Sequence, residues 1–312
     1  MADPLPICYL NGAFLPLAEA RVSPMDRGFL YADAVYEVMP VYAGRPFRFE
    51  AHCERLTRSL GEIRMRDPHG RAQWRTIISE LIQVNGTADP SASIQPRHAE
   101  VESRLVRPHV DLYVYWQVTR GAERGRTHAP LPDIPRTVFA FCAPLPVPTA
   151  ATLQNGLSCV TAADTRWARC DIKSVALLAN VLLRQLSVDA DAAETILLRD
   201  GELLEASAAA VHVVIGGELR SPPNSSRILP GTTRGVVEQM AERAGIAFRS
   251  VPVSEAQFRC ADEVWLSAAT REVQPVTRID GRPVGSGKPG PVWRRLFDEL
   301  QRYKRELADQ PW

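Results

Sequence analysis

Apolar residues recur along the chain at two intervals, and the shifts between them mark out its elements. From Ala51 to Ile63 they fall at Leu56, Leu60 and Ile63, and from Ala72 to Val84 at Trp74, Ile77, Ile78 and Leu81. Spacings of three and four residues put each set on one helical face, so both stretches are predicted to cover a sheet. The residues before them read as short strands broken at Asn11-Gly12 and Ala43-Gly44, pairs placed where a hairpin needs positive φ. From Val84 to His109 the pattern decays into Asn-Gly-Thr-Ala-Asp-Pro-Ser-Ala-Ser with further prolines and charges, which reads as a long surface excursion. Runs rich in β-branched and aromatic residues then return at Leu112 to Val118 and Val138 to Cys142.

Three prolines in the six residues from Ala143 to Pro148 favour an extended connector over a helix or a central strand. The predicted domains are therefore residues 1–143 and 150–312, joined by a linker over residues 144–149. In the second, strands are expected near Leu157 to Thr161, Thr195 to Leu198, Val211 to Ile215 and Val264 to Ser267. Turns are expected at Asp200-Gly201, Gly216-Gly217 and Asp280-Gly281. Helices fit Ser174 to Leu186, Thr233 to Ala244 closed by Gly245, and Pro291 to Tyr303. The elements predict a mixed α/β (α+β) fold in two domains, the second lacking a strict βαβ alternation.

Length and charge narrow the function. A chain of 312 residues has room for two cores. Its net charge of +1, from 37 basic and 36 acidic side chains, offers no global attraction for nucleic acid or an anionic membrane. No stretch is apolar for long enough to span a bilayer, and the start, Met1 to Gly12, lacks signal-peptide regions, so a cytoplasmic protein is expected. Six scattered cysteines without a C-x-x-C pair read as reduced thiols, and no His/Cys grouping has metal-ligand spacing, so no metal is predicted.

Local motifs are weak one at a time. Gly285 to Gly290 fits G-x-G-x-x-G but does not lead from a strand straight into a helix, and it reads as an ordinary loop. Gly231-Thr232-Thr233 opens an apolar-periodic helix, where threonines supply a cap and free N–H groups suit a phosphate. Lys173 lies between Asp171 and Ser174 at the start of another apolar stretch, and a lysine partly desolvated there can form a Schiff base with an aldehyde.

These motifs occur in order with Asp26-Arg27-Gly28, Tyr36-Glu37-Val38, Arg55, Gln117 to Gly121, Leu204 to Ser207 and Trp265 to Val276. Across nearly its whole length the chain thereby resembles the fold-type-IV pyridoxal-phosphate enzymes. That group contains D-amino acid aminotransferase, branched-chain aminotransferase and aminodeoxychorismate lyase. The resemblance implies pyridoxal 5'-phosphate held between a smaller N-terminal domain and a larger C-terminal one, in a homodimer. It makes Lys173 the Schiff-base lysine and proton shuttle, and Glu205 the acid facing the pyridine nitrogen, whose protonation a carboxylate favours. Arg55, Thr232 and Thr233 match the phosphate ligands, and a further phosphate threonine falls at Ala269, with Thr270 beside it.

Arg126-Thr127-His128 is similar to the Arg-x-His pair that, in D-amino acid aminotransferases, crosses the dimer interface and holds the substrate carboxylate together with a tyrosine, matched here by Tyr36. The loop is one residue longer than the family pattern, which leaves Arg124 as the alternative arginine. Ser207-Ala208-Ala209-Ala210 departs from the family's serine-rich run. The implied reaction is transfer of an amino group from a D-amino acid, D-alanine foremost, to 2-oxoglutarate. Branched-chain L-amino acid, R-amine and aminodeoxychorismate-lyase activities, or a silent cofactor binder, are the alternatives.

Overall fold

The computed structural model describes residues 3–86 and 111–308. The chain divides into two compact units, with the boundary between Leu145 and Pro146.

The first unit is an antiparallel sheet with helices on one face. Its elements are β1 (Ile7–Leu10), β2 (Ala13–Pro16), α1 (Arg27–Tyr31), β3 (Ala34–Tyr42), β4 (Arg45–Pro46), α2 (Phe49–Glu62), α3 (Arg71–Gly86), β5 (Leu112–Thr119) and β6 (Thr137–Pro144). The strand order is β2-β1-β6-β5-β3-β4. Both expected hairpin turns form, with positive φ at Asn11 and Gly12 and at Ala43 and Gly44. Successive strand residues point to opposite faces, so Glu37 and Met39 share one side with Val114 and Trp116, beneath α2 and α3. Leu56, Leu60, Trp74, Ile78 and Leu81, the apolar stripes read from the sequence, are fully buried. Tyr36 points to the other face, where it stacks on Tyr115. The excursion expected from Val84 begins inside α3, which continues to Gly86, and residues 87–109 lie outside the described residues.

The second unit comprises α4 (Ala150–Asn155), β7 (Leu157–Ala163), α5 (Leu178–Asp189), β8 (Glu194–Arg199), β9 (Glu202–Ala206), β10 (Ala210–Ile215), β11 (Glu218–Ser221), α6 (Thr232–Arg243), β12 (Phe248–Ser250), α7 (Glu255–Arg259), β13 (Glu263–Ala268), β14 (Glu272–Ile279), β15 (Arg282–Pro283) and α8 (Pro291–Ala308). Its mixed sheet runs β12-β11-β10-β13-β14-β7-β8-β9, with β15 on β14. β7 and β8 are parallel, with α5 in their crossover. Ile196, Leu203, Val211, Val213, Phe258, Val264, Leu266 and Val276 form its apolar cluster.

Three local expectations are corrected. α5 begins at Leu178, not Ser174, so Lys173 sits in the irregular segment ahead of the helix. The apolar run Val175 to Leu177 imitates a first helical turn, but its backbone is not helical. Neither threonine caps α6: the N-cap is Gly231, without a side-chain cap, and Thr232 and Thr233 are the first two helical residues. β6 continues through Ala143 to Pro144, whose missing N–H is tolerated at a strand end. Gly285 to Gly290 forms the loop between β15 and α8.

His212 lies fully buried in β10, its ring nitrogens 2.6 Å from Ser221 Oγ and 2.8 Å from Ser267 Oγ. Burial, with Arg234 nearby, pulls its pKa down from 6.5 to about 3. Between these values the unfolded chain takes up a proton that the folded chain refuses, so stability falls as pH drops below about 6.5, by ~1.4 kcal/mol per unit. From pH 7 to 5 this residue is expected to cost ~2 kcal/mol. His212→Asn should flatten the dependence of the urea midpoint on pH over that interval; an equal slope in both proteins would refute the assignment.

Candidate active site

In the second unit, three loops distant in sequence are tied together by buried polar contacts. Arg166 is the knot. It reaches Asp164 through Nε at 2.9 Å and Nη2 at 3.0 Å, Glu205 through Nη1 at 2.5 Å, and the Arg227 carbonyl at 3.3 Å. Arg199 braces Asp164 from the other side at 2.9 Å. The Cys170 N–H donates to the Ser226 carbonyl at 2.8 Å, and the Leu229 N–H donates to Glu205 at 3.1 Å. The segment leading to Lys173, the end of β9 at Glu205 and the chain entering α6 are thus one hydrogen-bonded assembly.

The sequence-predicted residues of this unit sit on that assembly. Lys173 is half-buried, three residues beyond the Cys170 anchor. Glu205 is buried, and burial pushes its carboxyl above the usual range while Arg166 and the Leu229 N–H pull it back. Asp164 is opposed by burial too, yet Arg166 and Arg199 hold its carboxyl below the ordinary range. Thr232 and Thr233 follow Leu229 by three and four residues, and the first-turn N–H groups of α6 lack a side-chain cap. A helix start of that kind suits an anion. Ala269 and Thr270 occupy the turn between β13 and β14. That turn is linked back to the assembly, since Arg271 pairs with Glu194 at 3.2 Å and Ser207 donates to the same carboxylate. Asn180 adds a bond from α5 to the Ser207 carbonyl at 2.8 Å.

In the first unit, Arg55 on α2 is buried and ion-paired to Glu37 on β3, with Nε and Nη2 each 2.7 Å from a carboxylate oxygen. His52, one helical turn earlier, contacts the same carboxylate at 2.7 Å. Burial alone would raise Glu37, but these two partners outweigh it and bring its pKa down to about 2. Any phosphate that Arg55 binds must meet a different edge of the guanidinium from the one Glu37 holds. Tyr36, the neighbouring residue on β3, faces away from Arg55.

Arg124, Arg126 and His128 are all exposed, on the segment after β5. The structure separates the two arginines. Arg126 lies with its guanidinium 5.0 Å from the Tyr31 ring centre, and the His128 ring lies 5.6 Å from the same ring. The segment leaves the sheet at Gly121, whose φ is +100°. A Cβ there would stand 1.9 Å from the Pro135 carbonyl oxygen, so only glycine fits.

The sequence motifs include Arg27, Arg166 and Arg271 without giving them a role, and they do not point to Asp164, Tyr31 or Glu194. Asp164 and Arg166, two residues apart, are the one local signal for the knot; its partner Glu205 lies 39 residues away from Arg166.

The model of the amino-transferase class IV family matches residues 34–279. A D-alanine aminotransferase of Bacillus licheniformis is 35% identical over 291 residues, covering 93% of this chain and 94% of that protein. One from Staphylococcus haemolyticus is 32% identical over 295 residues, covering 95% and 96%. Among solved structures, a branched-chain amino acid aminotransferase of Escherichia coli is similar with a TM-score of 0.85, at 23% identity, over 100% of this chain and 98% of that one. A branched-chain amino acid aminotransferase from T.th., solved with pyridoxamine 5'-phosphate, gives a TM-score of 0.82 at 25% identity, over 99% and 95%.

Proposed function

The chain belongs to the class IV aminotransferases, and from that premise we propose that it transfers the amino group of D-amino acids, D-alanine foremost, to 2-oxoglutarate, using pyridoxal 5'-phosphate carried by Lys173. The donor set fits this cofactor: an amine for its aldehyde at Lys173, a buried acid for its ring nitrogen at Glu205, and an uncapped helix start at Thr232 and Thr233 for its phosphate. When bound, pyridoxal phosphate supplies an aldehyde that accepts the amino group and a ring that spreads charge from the substrate Cα.

The protein's own groups do the rest. Lys173 holds the aldehyde between turnovers and, once displaced, moves a proton at the substrate Cα as base and then acid. Glu205, as a carboxylate steadied by Arg166 and the Leu229 N–H against the cost of burial, favours a proton on the facing ring nitrogen. Arg55 is assigned to the phosphate, as are Thr232 and Thr233, with Thr270 beside Ala269 as a further hydroxyl. Arg126 and His128, reaching across the dimer interface as in the resembling enzymes, are assigned with Tyr36 to the substrate carboxylate, whose fixing selects the enantiomer that reacts.

The observation that carries the D-amino acid reading is the pair formed by Arg126 and His128 against one ring, Tyr31. It favours Arg126 over Arg124, and identities of 32% and 35% to D-alanine aminotransferases support it. Likeness to the solved branched-chain enzymes favours a second reading, branched-chain L-amino acid transfer. Mixing the yellow protein with D-alanine or L-amino acids, without acceptor, separates the two. Bleaching of the visible absorbance by D-alanine alone, reversed by 2-oxoglutarate, is expected. Bleaching by L-leucine alone would transfer the assignment to the second reading.

We also infer a homodimer. α5 exposes Leu178, Val181, Leu182 and Leu186 at helical spacing, an apolar stripe that water disfavours and a second copy would cover. Sedimentation should give twice the chain mass, and a monomer at working concentration would refute it.

A further inference from the structure

Arg126 is exposed and carries several rotatable bonds, so an arginine at that place left to itself would sample many directions. The structure restrains it in two stages. Arg27, buried at the start of α1, first fixes the backbone of the loop. Its Nη1 donates to the Glu123 carboxylate at 3.0 Å and the Thr127 carbonyl at 2.7 Å, and its Nη2 donates to the His128 carbonyl at 3.0 Å. Glu123, itself buried, accepts from the Leu131 N–H at 2.7 Å. Asp33 holds Arg27 from below through Nε at 2.9 Å. The stretch from Glu123 to Leu131 therefore hangs on one guanidinium.

The second stage acts on the side chains. Tyr31, the last residue of α1, has the Arg27 guanidinium 4.6 Å and the Arg126 guanidinium 5.0 Å from its ring centre, with the His128 ring 5.6 Å away. A cation over an aromatic face is attracted to it while its N–H edges stay available for an anion. Three groups that the carboxylate-binding reading needs in register, two side chains and the backbone between them, thus converge on Tyr31 and Arg27.

We propose that Tyr31 is a positioning residue for substrate: its ring is the platform that orders Arg126 and His128 before the carboxylate arrives. This rests on the assignment of Arg126 to the substrate carboxylate. The ring does the positioning, and the hydroxyl, which is buried and has no hydrogen-bond partner among the described residues, has no share in it. Tyr31 acts through Arg126 and His128, so it works on binding and leaves the chemical step alone.

The test is a double-mutant cycle on the holoenzyme with D-alanine. Tyr31→Leu is expected to raise KM about three- to tenfold, the range of a cation–π contact, with kcat within about twofold. Tyr31→Phe keeps the ring and should match the parent. In an Arg126→Ala background, Tyr31→Leu should add nothing further to KM. In the folded protein without substrate, the Arg126 Nε–H resonance should carry a ring-current shift that Tyr31→Phe retains and Tyr31→Leu abolishes. If Arg126→Ala raises KM but Tyr31→Leu does not, or if the two penalties add fully, the platform is refuted while the carboxylate assignment stands. If Arg126→Ala itself leaves KM unchanged, the carboxylate assignment falls, and the platform with it.

Discussion

Lys173→Ala is expected to lose turnover by about four orders of magnitude, the upper end of what a positioned acid–base group supplies, and to lose the absorbance that depends on the lysine–cofactor bond. The chain makes this test unusually clean, because it contains only three lysines: Lys173, Lys288 and Lys304. Lys288 is exposed in the loop before α8, and Lys304 is paired with Glu272. Borohydride reduction followed by peptide mass spectrometry should therefore place the whole cofactor label on the peptide containing Lys173, and none on the variant. A label on Lys288 or Lys304, or turnover that survives the substitution, would remove Lys173 from its role. Phosphate contacts do not depend on the amine, so the variant should still bind the cofactor, only non-covalently.

What the sequence disclosed and what it hid divide along a physical line. The stripes on α2 and α3, the paired turn residues and the strand runs at Leu112 and Val138 were legible, because each is set by neighbours a few residues apart. The start of α5 was misread because Val175 to Leu177 continue the apolar period, although the backbone enters the helix only at Leu178. The candidate site residues came from ordered resemblance to a family, since Lys173, Glu205 and Arg55 are locally indistinguishable from solvated charges. The supporting groups stayed hidden for a different reason. Arg27 meets its loop partners 96 to 101 residues later, and Glu205 meets Arg166 across 39, so no local spacing encodes either contact.

Glu205→Gln should lower kcat by about 10²- to 10³-fold, the loss seen when a preorganised electrostatic partner is removed, while leaving the fold intact. The amide is nearly isosteric and its oxygen can still accept from the Leu229 N–H, now 3.1 Å from the carboxylate. Arg166 is not stranded, because Asp164 holds it through Nε and Nη2. The thermal midpoint should thus shift little, which sets this variant apart from Arg166 substitutions, which leave the buried Glu205 without its cation. What the amide cannot do is stabilise a positive charge on a facing ring nitrogen. The loss should therefore appear in kcat, with cofactor affinity and substrate KM changed only severalfold. Glu205→Asp, which keeps the charge but withdraws it by one methylene, should fall between parent and amide. If Glu205→Gln retained full kcat, Glu205 would be only the counter-ion of Arg166, and the ring nitrogen would need another partner. If it instead lost both kcat and the thermal midpoint, the knot around Arg166 would be holding the site together mechanically, and the electrostatic role would have to be tested on Glu205→Asp alone.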